Sequence, residues 1–327
     1  MRVGIDARKI ADFGIGTYIR NLLRELVALG GAEYVAFAPR GVALPLGVEH
    51  VVVDAPHYSL REIVTLGRAA DRAGLDLFHA PHYVTPLTRV PLVVTVHDLI
   101  HLRNPNPLKR MYAATMIGRA VRKARTVLTV SETVKREIER TFAVRGVVVA
   151  PNGCDHLDGP TPVPQRAHAY FLFVGNDKPH KNVDLVVGAA QRIGAELVLA
   201  GAPFERFRGR ATLAGFVSDA ELAALYRGAI ALVMPSAEEG FGLPALEAMR
   251  CGAAVITSNA PALIEVTGDA ALHVDASVES LAEAMSRMRR DGSFRASLAA
   301  RGRARSSAFT WSRCASITRG AYFELPF

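Results

Sequence analysis

The stretch from Ala229 to Gly252, AIALVMPSAEEGFGLPALEAMRCG, constrains the fold more than any other. Ala229 to Pro235 is a short apolar run with β-branched residues, the pattern of a strand buried in a parallel sheet. Pro244 suits the opening of a helix, where its missing N–H costs nothing, and Gly252 can end that helix. Between them Glu238, Glu239, Gly240, Phe241, Gly242 and Leu243 form a loop whose glycines let the backbone approach a ligand closely. Free N–H groups backed by a helix dipole make such a loop an anion site, most often for phosphate. Glu239 precedes the helix and Glu247 lies about one turn inside it, reaching back toward its mouth. A carboxylate repels phosphate, so two of them fit hydroxyl recognition better, at a ribose or a hexose.

The rest of the chain repeats the strand–loop–helix plan. Strands are expected over 2–7 and near 34–38, 49–53, 76–79, 92–96, 126–130 and 147–150, with helices near 17–29, 59–73, 107–124 and 132–142 between them. A second series follows: a strand over 170–175, a helix from Asn182 as N-cap to about Ile193, and a strand over 196–201. Ser218 and Glu221 form a capping box opening a helix that runs to about Tyr226, and a strand covers 254–257. Alternation of this kind predicts an α/β architecture of doubly wound parallel sheets, with functional residues just past the carboxyl ends of strands. At 327 residues the chain has room for two such domains. The proline-rich Pro160–Pro164 has the composition of a semi-rigid linker between them.

Several classes are excluded. No apolar run approaches the ~18 residues of a membrane span, and Asp6 interrupts any signal-peptide core, so a cytoplasmic location is expected. Cys154, Cys251 and Cys314 are odd in number and lack metal-site spacing, which fits a reducing compartment. The formal charge of +8 is uneven: residues 1–155 hold 21 Lys+Arg against 14 Asp+Glu, a balance of +7, and the remainder holds +1. The expected helix at 107–124 carries Lys109, Arg110, Arg119, Arg122 and Lys123 among apolar residues, with no acid. That reads equally as a surface for anionic lipid and as a solvated face; nucleic acid is not expected, since no binding motif accompanies the charge.

The central stretch also carries a resemblance. Glu239-x-Phe241-Gly242-x4-Glu247, followed by Ala248-Met249-x-Cys251-Gly252 and Val255-Ile256, resembles the E-x7-E signature of retaining glycosyltransferases of family 4. Those are GT-B enzymes, two Rossmann-like domains with a cleft between them, using nucleotide-sugar donors. Val94-Thr-Val-His97-Asp98 is similar to the family's "H-D" strand end, Val147–Asp155 to the "N-G-V-D" end of its first domain, and Asn176–Asn182 to its "G…P-x-K-N" motif. Phe309-Thr-Trp311 is similar to the start of its last helix, which packs back on the first domain. The resemblance thus implies an acceptor-side domain over 1–157, a donor domain over 158–309, and a returning helix over about 310–327. Many members carry an arginine beside the glycine or the lysine of the third motif; here Asn176 and His180 stand there, which shifts the load to Lys181, helped by Lys178.

By that resemblance Glu239, His97 and Lys181 are the catalytic residues, Lys181 on the diphosphate and the other two on the transferred sugar. Donor-binding residues would be Gly14, Gly16, Lys178, Phe216, Val217, Gly240, Phe241, Gly242, Leu243 and Glu247, with Glu247 on ribose hydroxyls, Phe216 and Val217 beside the base, and Ser258–Pro261 facing the donor. Gly14 and Gly16 fit an ordinary tight turn as well, since the third glycine of a dinucleotide fingerprint is missing. His79, His82 and His101 fit structural and acceptor-facing roles alike. The implied reaction moves a hexose of mannose or glucose type to an acceptor hydroxyl in cell-surface polysaccharide or glycolipid synthesis. No cofactor and no metal are expected, there being no Asp-x-Asp motif. The expected partners are the nucleotide sugar, a saccharide acceptor that is lipid-linked or anionic, and the inner face of an anionic membrane. Glu239 fits a double displacement, and a front-side reaction is the family's expected route. The alternatives are a GT-B nucleotide-sugar epimerase and a nucleotide-sugar-binding protein without turnover.

Overall fold

A computed structural model describes residues 1–54, 60–159, 169–201 and 203–323. The expected linker at Pro160–Pro164 lies outside them, as do Ser59 and the last residues of the expected terminal helix. The chain divides into two compact units, one built from Met1–Gly153 with the segment from Trp311, the other from Cys154–Thr310.

In the first unit strands β1 (Arg2–Asp6), β2 (Glu33–Ala38), β3 (Val48–Val52), β4 (Leu77–Ala80), β5 (Leu92–Val96), β6 (Thr126–Thr129) and β7 (Val148–Val149) form one sheet in the order 3-2-1-4-5-6-7. Every pairing is parallel. Helices α1 (Ile15–Leu29), α2 (Leu60–Arg72), α3 (Pro107–Lys123) and α4 (Glu132–Phe142) supply the crossovers. The order reverses between β1 and β4, the switch point where loops diverge and ligands bind in such sheets. Leucines and isoleucines of α1 at helical spacing pack with Val3, Ile5, Leu77 and Val93 into one core.

The second unit contains β8 (Tyr170–Gly175), β9 (Glu196–Gly201), β10 (Thr212–Gly215), β11 (Ala229–Met234), β12 (Ala254–Ser258) and β13 (Leu272–Val274), in the order 10-9-8-11-12-13. All are parallel, and the switch point lies between β8 and β11. Its helices are α5 (Val183–Arg192), α6 (Asp219–Gly228), α7 (Leu243–Arg250), α8 (Pro261–Thr267), α9 (Val278–Arg290) and α10 (Gly292–Ser306). Ser218 and Glu221 make the expected capping box on α6. The division at Gly153/Cys154 falls ahead of the expected 157/158 for a visible reason. The Cys154 amide donates to Phe309 O at 3.2 Å, and Leu157 is buried in the second unit's core, so the turn at 155–157 goes with that unit.

The last helix, α11 (Trp311–Phe323), belongs to the first unit, where Trp311, Cys314, Ala315, Ala321 and Tyr322 join the core of α1. The Trp311 ring is fully buried and meets Tyr18 edge-on at 6.1 Å. Trp311→Ala should therefore cost about 3–5 kcal/mol through the cavity it leaves. Urea unfolding followed by hydrogen exchange should place that loss in the first unit; an unchanged midpoint would show that α11 adds nothing to that core.

Candidate active site

The loops after β8 and β11 flank the second unit's switch point, and the chain fastens them to each other. After β8 a 3-10 turn, Pro179–Lys181, ends at Asn182 in the left-handed region (φ 53°). Asn182 stands at the N-cap position of α5, but its side chain does not cap the helix. Its Nδ2 donates instead to Pro235 O at 2.9 Å, at the end of β11, which corrects the expected N-cap role. Ala237 N donates to His180 O at 2.8 Å beside it. The two loops thus present their charges together, with Lys181 Nζ 2.6 Å from Glu239 Oε1 and both side chains largely buried. Lys178 is exposed. Arg206, in the 3-10 turn after β9, braces the same loop, paired with Asp177 and Asp184 at 2.5–2.8 Å.

Beyond Glu239 the chain enters α7 through Gly242, which caps it at φ 94°. That conformation favours glycine, and a Cβ there would stand 2.4 Å from Leu263 Cδ2, so the site demands glycine twice over. The helix starts at Leu243, with Pro244 inside its first turn rather than opening it. The Phe241 ring is buried and meets Phe309 edge-on at 6.0 Å, which anchors the loop that carries Glu239 and Gly242. Gly240 is buried in the same loop. Phe216 is 66% exposed, beside the half-buried Val217.

Glu247 is buried on the inner side of α7. Its Oε2 accepts from the Tyr226 hydroxyl at 2.9 Å, and its Oε1 lies 3.3 Å from His156 Nε2. Burial, with the neighbouring carboxylate, pushes the Tyr226 phenol well above its ordinary value, so it is the donor. Neither partner was singled out by sequence reasoning. His156 was visible only as a histidine following the Asn152–Asp155 turn, and Tyr226 only as a helix end.

In the first unit the histidines separate into distinct roles. His79 is fully buried, with Nδ1 2.7 Å from Tyr322 Oη and Nε2 2.8 Å from Thr95 Oγ1, which is a structural role. His82 accepts from Val84 N at Nδ1, so Nε2 carries the proton that meets Asp6 Oδ2 at 3.1 Å. Asp6 in turn is paired with Arg8, and Arg8 with Glu62 at 2.8 Å, all of them buried. Burial pushes the Asp6 carboxyl up, but Arg8 and His82 outweigh it and hold it well below the usual range. This buried network under the β1/β4 switch point had no sequence signal. Gly14 caps α1 at φ 59° with open space around it, whereas Gly16 lies inside α1, where a Cβ would stand 2.5 Å from Ile10 O. Gly16 is therefore explained by packing.

His97 sits just past β5, half-buried, its ring edge-on to Tyr18 at 4.7 Å. Its Nε2 faces Pro81 O at 3.0 Å, and a carbonyl can only accept, so the neutral ring keeps Nδ1 as an acceptor. His101 stacks edge-on against Tyr83 at 5.6 Å. Burial lowers His79 to about 3 and His97 to about 4. The unfolded chain takes up these protons near pH 6.5, so between 6.5 and about 4 it binds more protons than the native state. Stability should fall on acidification through that window. NMR of the His97 ring should find it uncharged at pH 5.5; a midpoint near 6.5 would contradict the burial argument.

Two parallel doubly wound units, one with Lys181 and Glu239 paired at its switch point, have the GT-B architecture. Residues 14–156 match the family model described as Glycosyltransferase Family 4, and residues 165–305 that described as Glycosyl transferases group 1. The O-antigen chain mannosyltransferase B of Escherichia coli is 32% identical over 285 residues, spanning 75% of this chain and 74% of that protein. Sucrose-phosphate synthase from Thermosynechococcus elongatus shares the fold at a TM-score of 0.84 and 20% identity, over 98% of each chain. So does Anabaena Alr3699/HepE in complex with UDP and glucose, at 0.77 and 17%, over 99% of each. The chain belongs to glycosyltransferase family 4.

Proposed function

We propose that this glycosyltransferase is a retaining enzyme that moves a hexose, of mannose type, from a nucleoside diphosphate to an acceptor hydroxyl in surface polysaccharide synthesis. The observation carrying the reading is the Lys181–Glu239 pair held beside the mouth of α7. The sugar and the pathway are suggested by the Escherichia coli O-antigen mannosyltransferase relative, and a nucleoside diphosphate by the UDP in HepE.

The difficult step is departure of the nucleoside diphosphate from the anomeric carbon. The Lys181 ammonium, with three donors, can hold both a phosphate oxygen and Glu239. The N–H groups of Gly242 and Leu243 lie at the positive end of α7, where developing phosphate charge is stabilised. Glu239 then accepts from hydroxyls of the transferred sugar and Glu247 from the ribose; His97 keeps the sugar-handling role its His-Asp strand end implies. The leaving phosphate takes the acceptor's proton on the front side, so no separate general base is needed, and Lys181 with the α7 amides takes the charge-stabilising place a metal fills elsewhere. Lys181→Ala should lower turnover on the order of 10²-fold and weaken a nucleoside diphosphate more than the free nucleoside. Equal losses for both would remove Lys181 from the diphosphate. Nucleotide release from GDP-mannose should require acceptor and survive EDTA, and NMR of the product should find the donor's anomeric configuration kept.

The acceptor side is read from α3. Leu108, Met111 and Tyr112 are exposed there beside Lys109 and Arg110. The charge further along is used otherwise: Arg119 donates to Thr85 O and Pro86 O, and Lys123 to Thr88 O. The docking surface is therefore the first two turns, where apolar and basic groups mix. Among the described residues no helix is long and apolar enough to cross a membrane. We propose peripheral association with an anionic bilayer and a lipid-linked acceptor. Each basic residue adds ~1 kcal/mol near such a surface. Vesicle co-sedimentation should fall with rising salt and in a Lys109/Arg110→Glu, Leu108/Met111→Ser variant. Equal pelleting with neutral and anionic lipid would leave α3 as a solvated face.

A further inference from the structure

The contacts of Glu247 go beyond what its place on α7 requires. A carboxylate presents about four acceptor positions, two on each oxygen. Tyr226, at the last turn of α6, takes one position on Oε2 at 2.9 Å. His156, from the turn after Cys154, faces Oε1 at 3.3 Å with its side chain 3% exposed. The two elements approach α7 from different parts of the second unit and meet different oxygens. One position on each oxygen is left, the pattern that receives two neighbouring hydroxyls.

We infer that Tyr226 and His156 are positioning residues that fix Glu247 as a two-point acceptor for the vicinal diol of the donor's ribose. The inference rests on the assignment of Glu247 to the ribose in the preceding section. Neither residue touches the nucleotide; each acts by denying Glu247 other rotamers. A lone carboxylate on a helix would choose among several, and a mis-set one loses the second hydroxyl first. The buried setting raises the stake, because a donor removed from a buried carboxylate leaves that oxygen to find another partner.

The discriminating quantity is the preference for a ribonucleotide over its 2′,3′-dideoxy counterpart, measured by calorimetry with UDP and GDP. Purely structural damage would weaken both members of a pair equally and leave the ratio alone. Wild type should prefer the ribonucleotide of whichever base it binds, and Glu247→Gln should erase most of that preference. Tyr226→Phe should reduce the preference roughly 5- to 10-fold, the size of one hydrogen bond. His156→Leu should act in the same direction, while His156→Gln, which keeps a donor, should restore much of the ratio. Thermal midpoints establish that each variant is folded, and the His156 pair carries the test if Tyr226→Phe is not. Full preference in Tyr226→Phe and His156→Leu, with Glu247→Gln still defective, would overturn the positioning role and leave the ribose assignment standing. A wild type indifferent to the ribose hydroxyls would overturn that assignment and this inference with it.

Discussion

The 2.6 Å pairing of Lys181 with Glu239 is the interaction on which the donor-side architecture depends. Two opposite charges brought largely out of water repay their desolvation only if geometry and further hydrogen bonds hold them in place. Here the backbone supplies that geometry: Asn182 is held in a left-handed conformation that costs a non-glycine residue about 1 kcal/mol or more, and its amide ties the β8 loop to the end of β11. Gly242 carries the other loop into α7 by a turn that only glycine makes without a clash. A site built this way is preorganised. Glu239 already holds the Lys181 ammonium in place, so in the proposed reaction the diphosphate would meet a fixed cation rather than a mobile one.

The switch points of the two sheets are used differently. Where strand order reverses, the loops diverge and leave room above the sheet. In the second unit the loops after β8 and β11 fill that place with Lys181 and Glu239. In the first, the equivalent position holds a buried chain of charges, His82–Asp6–Arg8–Glu62. His97 lies one strand further along, past β5, with Nδ1 kept as an acceptor.

Much of the fold was legible because strands buried on both faces read as apolar runs at regular spacing. Expected strands at 92–96 and 126–130 agree with β5 and β6 to within a residue, and α4 runs over its expected 132–142. The short β10 and β13 gave no such run, being half-buried at a sheet's edges. The E-x7-E spacing put Glu239 and Glu247 on one loop–helix unit, as observed. What the spacing could not give was the choice of partner. Asn182 looks like an N-cap in sequence, yet the carbonyl of Pro235, 53 residues away, captures its amide. Phe241 gives no sign in the sequence that its ring packs against Phe309, 68 residues on. The basic residues of α3 look like one surface until the carbonyls of the 85–88 loop claim Arg119 and Lys123. Each miss is a tertiary contact between residues far apart in the chain, which periodicity does not encode.

The central claim is that the two loops at the β8/β11 switch point grip the donor's diphosphate. Its most direct test is a crystal structure with an unreacted nucleoside diphosphate sugar bound. The account predicts phosphate oxygens within hydrogen-bond reach of Lys181 Nζ and of the amides of Gly242 and Leu243, with Glu239 turned to the sugar. A diphosphate bound elsewhere, with the Lys181–Glu239 pair undisturbed, would contradict it.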